Sequence, residues 1–396
     1  MPTRAGAVLL ALAIAASACA PNPTLGPTPS TTSAPTTARP TATPTATIRT
    51  SAAVVERVDT VAGGLVAPWA IDLATDGRLF VTERDGRIRV IKDGVLDPTP
   101  WATFTVVSRP NDESGLLGLA LDAGFPANGF AYVYFTYAAA NGRLQNRLVR
   151  LREQDGKGVV DKILLDGLAG GDIHDGGRVR IGPDGKLYVS VGDAGNDPLA
   201  QDLRSLNGKI LRLERDGSVP VDNPIAGSPI WSYGHRNPQG LAWDARGRLF
   251  ATEHGPSGNP ALQQDCCHDE VNRIDPGVNY GWPIVFGIRG DPRFRDPLLE
   301  SGTDTWAPSG ATFITTGALA GSLLFAALRG TSLDRVVFAD DGRTVLFQER
   351  LLAGQYGRLR DVLTMPDGTL LVLTSNRDGR GTPSPDDDRV LRVTLR

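Results

Sequence analysis

The sequence predicts an all-β protein built as a six-bladed β-propeller, and three observations predict it. A glycine turn followed by alternating apolar residues of β character recurs six times. The turn glycines fall roughly 50 to 75 residues apart, the length of a four-stranded blade with its loops. The chain also has 46 glycines and 29 prolines, which suit many tight turns, and little helical periodicity.

Taken in order, the chain opens on a leader. Over residues 1–18 the basic residue Arg4 precedes the apolar run Ala7 to Ala16, too short to cross a bilayer and typical of an export signal. Cys19 follows Ala16-Ser17-Ala18, which reads as a bacterial lipoprotein cleavage site; ordinary cleavage near Ala20 is the alternative. Residues 19–51 are rich in Pro, Thr, Ser and Ala with almost no charge, and cannot bury enough apolar surface to order themselves. They read as a tether, so membrane contact is expected only through a lipid on Cys19. The protein is expected to be exported, periplasmic or at the cell surface.

Residues 52–396 carry the repeats. These are Asp76-Gly77-Arg78-Leu79-Phe80-Val81, Asn128-Gly129-Phe130-Ala131-Tyr132-Val133 and Asp184-Gly185-Lys186-Leu187-Tyr188-Val189. Arg246-Gly247-Arg248-Leu249-Phe250-Ala251, Gly321-Ser322-Leu323-Leu324-Phe325 and Asp367-Gly368-Thr369-Leu370-Leu371-Val372 complete the set. A net charge of −3 carries no nucleic-acid signature. The adjacent pair Cys266 and Cys267 cannot staple distant segments. It reads as a vicinal disulfide, two thiols, or a metal site with His268 and Asp269.

In a propeller, loops from every blade meet at the mouth of one channel, so residues distant in sequence converge. Four clusters carry polar groups that strands do not need. His174-Asp175-Gly176-Gly177-Arg178 sets a titratable imidazole on a loop at a strand end, where a general base is usually displayed. Gly234 to Gly240 carries Arg236 and Asn237 on a turn. Glu253-His254-Gly255-Pro256 is followed by Asp269-Glu270 and Asn279-Tyr280-Gly281-Trp282-Pro283. Arg358 and Arg360 alternate, so both face one side of a strand. Several arginines aimed at one channel imply a polyanionic ligand, and carboxylates near a Gly-Pro turn suit a hard cation such as Ca²⁺.

From roughly Val61 to Arg392 the chain resembles the glucose/sorbosone dehydrogenase family, and within it the bacterial aldose sugar dehydrogenases that use pyrroloquinoline quinone (PQQ). The motifs that carry the resemblance are Pro68-Trp69-Ala70-Ile71, Gly115 to Ala120, the His174 loop through Gly192-Asp193, and Gln201 to Arg212. Gly234 to Gly240, Glu253 to Pro256, Asp269 to Asn272, Asn279 to Pro283 and Arg358 to Val362 continue it. The resemblance implies that His174 is the base for the sugar C1 hydroxyl while C1 hydride passes to the quinone. It implies that Arg236, Asn237, Arg358 and Arg360 contact PQQ. It also implies that the Gly255 and Pro256 carbonyls hold Ca²⁺, and that Asp269, Glu270 and the Tyr280 carbonyl form a second calcium site.

Three positions depart from relatives. Glu113 stands where some have glutamine and, like Arg329, is taken as a cofactor-binding residue. Arg329 stands where a lysine lies near the quinone oxygen. Ile173 replaces an aspartate before the histidine, which leaves the group that orients His174 unidentified. The expected partners are an aldose and an electron acceptor such as a respiratory quinone or a cytochrome, with the protein a monomer or homodimer. A calcium propeller that binds sugar or protein without redox chemistry is the alternative, but such a binder has no need of so many channel cations. A calcium-dependent hydrolase would need a cage of carboxylates and asparagines, and none stands out beyond Asp269, Glu270 and Asn272.

Overall fold

Six antiparallel sheets make the six blades, five of them running in chain order. They are seen in a computed structural model that describes residues 50–258 and 266–396. The leader, Cys19 and the tether up to residue 49 lie outside the described residues. The first blade contains Pro68–Leu73, Leu79–Glu83, Arg87–Lys92 and Val95–Leu96, and the second Leu116–Leu121, Phe130–Ala138, Leu144–Gln154 and Lys157–Ala169. The third is Gly176–Ile181, Leu187–Val191, Lys209–Leu213 and Ile230–Tyr233, and the fourth Pro238–Trp243, Leu249–Glu253, Glu270–Ile274 and Leu299–Glu300. Pro308–Phe313, Ser322–Ala327, Ser332–Phe338 and Val345–Leu351 form the fifth. The sixth joins Leu359–Thr364, Leu370–Thr374 and Val390–Leu395 to the early strand Val55–Ala62. That last pairing, with Val55 opposite Leu395, ties the two ends of the propeller together in one sheet.

All six sequence repeats are the second strands of their blades. Four of their turns share one device. Gly77, Gly185, Gly247 and Gly368 all sit at φ between 73° and 86°, where a side chain is strained. Asp76, Asp184, Asp244 and Asp367 each accept a backbone N–H two residues on, at 2.9 to 3.1 Å.

The first strand of each blade packs against the first strands of its two neighbours, closing a ring around the axis. The inner strands approach so closely that a Cβ on Gly118 would meet the Gly177 carbonyl oxygen at 2.0 Å. Every one of these strands carries an irregularity in its pairing near its start. Such bulges re-aim side chains at the rim of a closed sheet. Just before three of these strands a non-glycine residue has positive φ: Ala67 at 44°, His174 at 60° and Ala307 at 46°. This end of the ring is where the polar clusters gather. Further along the axis the channel is plugged by buried Arg178, which pairs with Asp361 at 2.8 Å, donates to the Gln239 carbonyl and lies over Trp69. Between the blades the core is aromatic and aliphatic, as in the edge-to-face cluster of Phe80, Trp101 and Phe125.

Candidate active site

At the bulged end of the ring a cavity of about 420 Å³ is walled by residues that precede or begin a first strand or follow a second one. His174 enters from the loop before Gly176–Ile181, and its left-handed backbone turns the imidazole inward. Its Nδ1 lies 2.8 Å from Asp193 Oδ1. Asp193 is itself fixed by the Trp282 indole N–H at 2.8 Å and the Gly195 N–H at 2.8 Å. The missing orienter is therefore Asp193, which follows the second strand of the same blade. It fixes the tautomer with the proton on Nδ1 and leaves Nε2 as acceptor. That Nε2 has no hydrogen-bond partner among the described residues.

Glu113, from the loop before the second blade, stands beside it. One carboxylate oxygen accepts the His174 N–H at 3.0 Å and the Asn237 amide at 2.9 Å; the other accepts Arg380 at 3.0 Å. Burial opposes this charge, but the neighbouring imidazoles, Arg380 and the His174 N–H outweigh it and hold the carboxyl well below its usual range. Glu113 is thus an ionised, paired group. Arg358 pairs with Asp378 at 2.8 Å, Arg360 reaches the Gln239 amide oxygen at 2.9 Å, and Arg236 donates to Ser257 Oγ at 3.1 Å. Arg329 is exposed at the cavity. Burial pushes the Arg360 guanidinium down to about 9. The Nε atoms of Arg236 and Arg360 and the Nε2 of His254 are buried without a partner.

Gly255 and Pro256 also line the cavity, and Gly255 has to be glycine. A Cβ there would lie 2.0 Å from the Cys267 carbonyl oxygen. Asp269 holds this corner, accepting the Gly255 N–H at 2.9 Å and the N–H groups of Trp306 and Ala307 at 2.7 and 2.8 Å.

Three of the predicted site residues, Glu270, Tyr280 and Asn237, stand outside the cavity wall, the first two having been assigned to a separate calcium site. Asp269 and Glu270 were expected in one site with Tyr280, but neighbouring strand residues point to opposite faces, and only Asp269 reaches the cavity. Glu270 accepts from Asn272 and Gly287 beside Glu253, its register partner; burial and that second carboxylate push it up to about 8. The Tyr280 ring stacks on His235 at 4.8 Å and its hydroxyl donates to the Arg273 carbonyl. Asn237 is buried behind the wall, where it donates to Glu113 and accepts the Gly176 N–H at 3.1 Å. It positions wall residues.

The structure adds members to the site. Asp378 and Arg380 follow the second strand of the sixth blade, and Asp112 pairs with buried Arg84. Counting from the turn glycine leads only to the start of the loop that carries the first two. Asn376 follows Gly368 by the same interval at which Asp193 follows Gly185. Cys266 and Cys267 are a disulfide on the cavity wall rather than thiols or metal ligands. Among the described residues no cluster of three or more His, Cys, Asp or Glu is grouped to hold a metal ion. No described helix is long and apolar enough to cross a membrane.

The fold matches the PQQ-bound aldose sugar dehydrogenase of Streptomyces coelicolor with a TM-score of 0.78 at 38% identity, over 88% of this chain and all of that one. Aldose sugar dehydrogenase YliI of Escherichia coli K12 is 30% identical over 356 residues, 83% of this chain and 92% of that protein. Quinoprotein glucose dehydrogenase B of Acinetobacter calcoaceticus is 33% identical over 264 residues, 58% of this chain and 53% of that protein. Residues 65–383 match the Glucose / Sorbosone dehydrogenase family, and the chain belongs to it.

Proposed function

We propose that this protein oxidises aldose sugars at C1 to the lactone, as a quinoprotein that binds PQQ and Ca²⁺ in the cavity. One observation carries the reading. An imidazole clamped at Nδ1 by Asp193 opens its Nε2 onto a cavity lined by five arginines.

The wall fits a polycarboxylate. Arg236 and Arg360 each carry a buried, unpartnered Nε, and a buried guanidinium donor left without an acceptor is costly unless a ligand supplies one. Arg358 and Arg329 add charge on the same wall. The Gly255 and Pro256 carbonyls beside Asp269 offer the oxygen donors that Ca²⁺ prefers. When bound, PQQ supplies the two-electron acceptor for the C1 hydride.

The chain's own residues do the rest. His174 Nε2 takes the proton of the C1 hydroxyl, and Asp193 stabilises the imidazolium that results. Glu113 is an ionised acceptor beside the imidazole, suited to a sugar hydroxyl, while Arg380 keeps its charge balanced. Asn237 and Gly176 set the height of the His174 loop.

The test is dye reduction by the purified full chain against a panel of aldoses. Sugar-dependent turnover that requires both PQQ and Ca²⁺ is expected, and no turnover with any aldose overturns the reading. Export, and anchoring through Cys19, would place the enzyme beside a respiratory quinone or cytochrome. Replacing Cys19 then releases it from membranes, and unchanged fractionation contradicts the anchor.

A further inference from the structure

The cavity wall holds one element that the proposed reaction leaves unused, the disulfide between Cys266 and Cys267. It is fixed at both sides. Cys266 pairs with Ser257 in an isolated antiparallel bridge, and Ser257 in turn accepts from Arg236. The Cys267 and His268 N–H groups both donate to the Gly302 carbonyl, at 3.0 and 2.7 Å. Cys267 is only 5% exposed, and the carbonyls of Cys267 and His268 press on Gly255.

The wall is otherwise mostly charged, with five arginines and the carboxylates of Asp112, Glu113, Asp269 and Asp378. Apolar surface comes from Pro256, Ala307, Leu328 and the two cysteines. A ligand with carboxylates at its edge and fused flat rings needs both kinds of wall. Guanidiniums take the edge, and a dry, polarizable surface takes the ring face.

We propose that the Cys266–Cys267 disulfide is a binding contact for the flat ring system of the quinone. This rests on the quinone reading above. The intact bond keeps two sulfur atoms together as one apolar surface. Breaking it needs two electrons and two protons from an external reductant and leaves two S–H groups that require wider separation. Because Ser257 and Gly302 hold the segment on either side, that separation changes the shape of the wall. Ring binding is therefore tied to the redox state of this pair, while carboxylate binding is not.

The experiment compares PQQ and citrate, a tricarboxylate without rings, by calorimetric titration of the full chain and its Cys266→Ser/Cys267→Ser variant. The expected result is a PQQ Kd raised about threefold in the variant, as roughly 25 Å² of lost apolar contact would give, with the citrate Kd unchanged. An unchanged PQQ Kd overturns the proposal. Equal weakening of both ligands also overturns it, since the pair then only positions the arginines. If the wild type binds citrate but no PQQ, the quinone reading itself fails and the proposal with it. Should the double variant lose its melting transition, the same titrations are made on the wild type before and after phosphine reduction, with the reductant removed. The cofactor is then supplied as its quinol, which cannot reoxidise the thiols, and the same threefold difference is expected.

Discussion

Two histidines in this propeller are held in the same way and end differently. His174 and His235 each set Nδ1 at 2.8 Å from a carboxylate, Asp193 in one case and Glu253 in the other. His235 is completely buried, its Nε2 meets Ser232 Oγ at 2.8 Å, and Tyr280 stacks on its ring. His174 stops at the cavity with Nε2 unengaged among the described residues. A carboxylate clamp alone does not mark a catalytic base, because it serves stability equally well. What distinguishes the two is the second nitrogen: spent on a hydroxyl in His235, free for a ligand in His174.

The comparison breaks first where the finished network is cut. His235→Ala leaves Glu253 buried without its imidazole and Ser232 without a partner. It should cost about 3 kcal/mol or more of stability, read as a lowered melting temperature. A melting temperature equal to wild type would mean the network contributes nothing. Asp193→Asn tests the open histidine. The amide cannot stabilise an imidazolium, so turnover of the loaded enzyme should fall about 100-fold, with PQQ affinity little changed. Loss of affinity without loss of turnover would reassign Asp193 to the cavity's shape.

The smallest effect concerns Asp175, next to the base. One of its oxygens accepts from Asn146 at 2.8 Å and Gly171 at 3.0 Å, while the other is buried with no partner. Burial pushes this carboxyl up to about 8. The folded chain keeps a proton that the unfolded chain releases near pH 4, so the stabilisation is complete below that and is lost as pH rises towards 8. Asp175→Asn should flatten the fall of melting temperature between pH 5 and 8 and raise it by about 2 °C at pH 8. An unaltered slope would show that Asp175 does not titrate there.

The blades were legible because each hairpin needs a glycine at positive φ, and four of the six add an aspartate that caps a backbone N–H two residues on. The convergence of His174, Glu113, Arg236, Arg358 and Arg360 was legible once a propeller was assumed, since all precede or begin a first strand. Contacts between loops were not. Asp193 lies 19 residues from His174 and meets it only because two strands of one blade run antiparallel. Arg380, after the second strand of the sixth blade, reaches Glu113, before the second blade, past the first blade that lies between them. Asp269 and Glu270 looked like one acidic pair in sequence, and strand alternation separates them. Adjacent cysteines alone do not reveal their redox state or the wall they occupy.

The central claim is that His174 Nε2 is the base of an aldose oxidation. It is tested most directly by mixing PQQ- and Ca²⁺-loaded protein with glucose, without dye, and following the quinone absorbance through a single turnover. The wild type should lose the quinone signal rapidly, and His174→Ala should lose it about 1,000-fold more slowly with PQQ still bound. A variant that reduces the quinone at the wild-type rate would contradict the assignment.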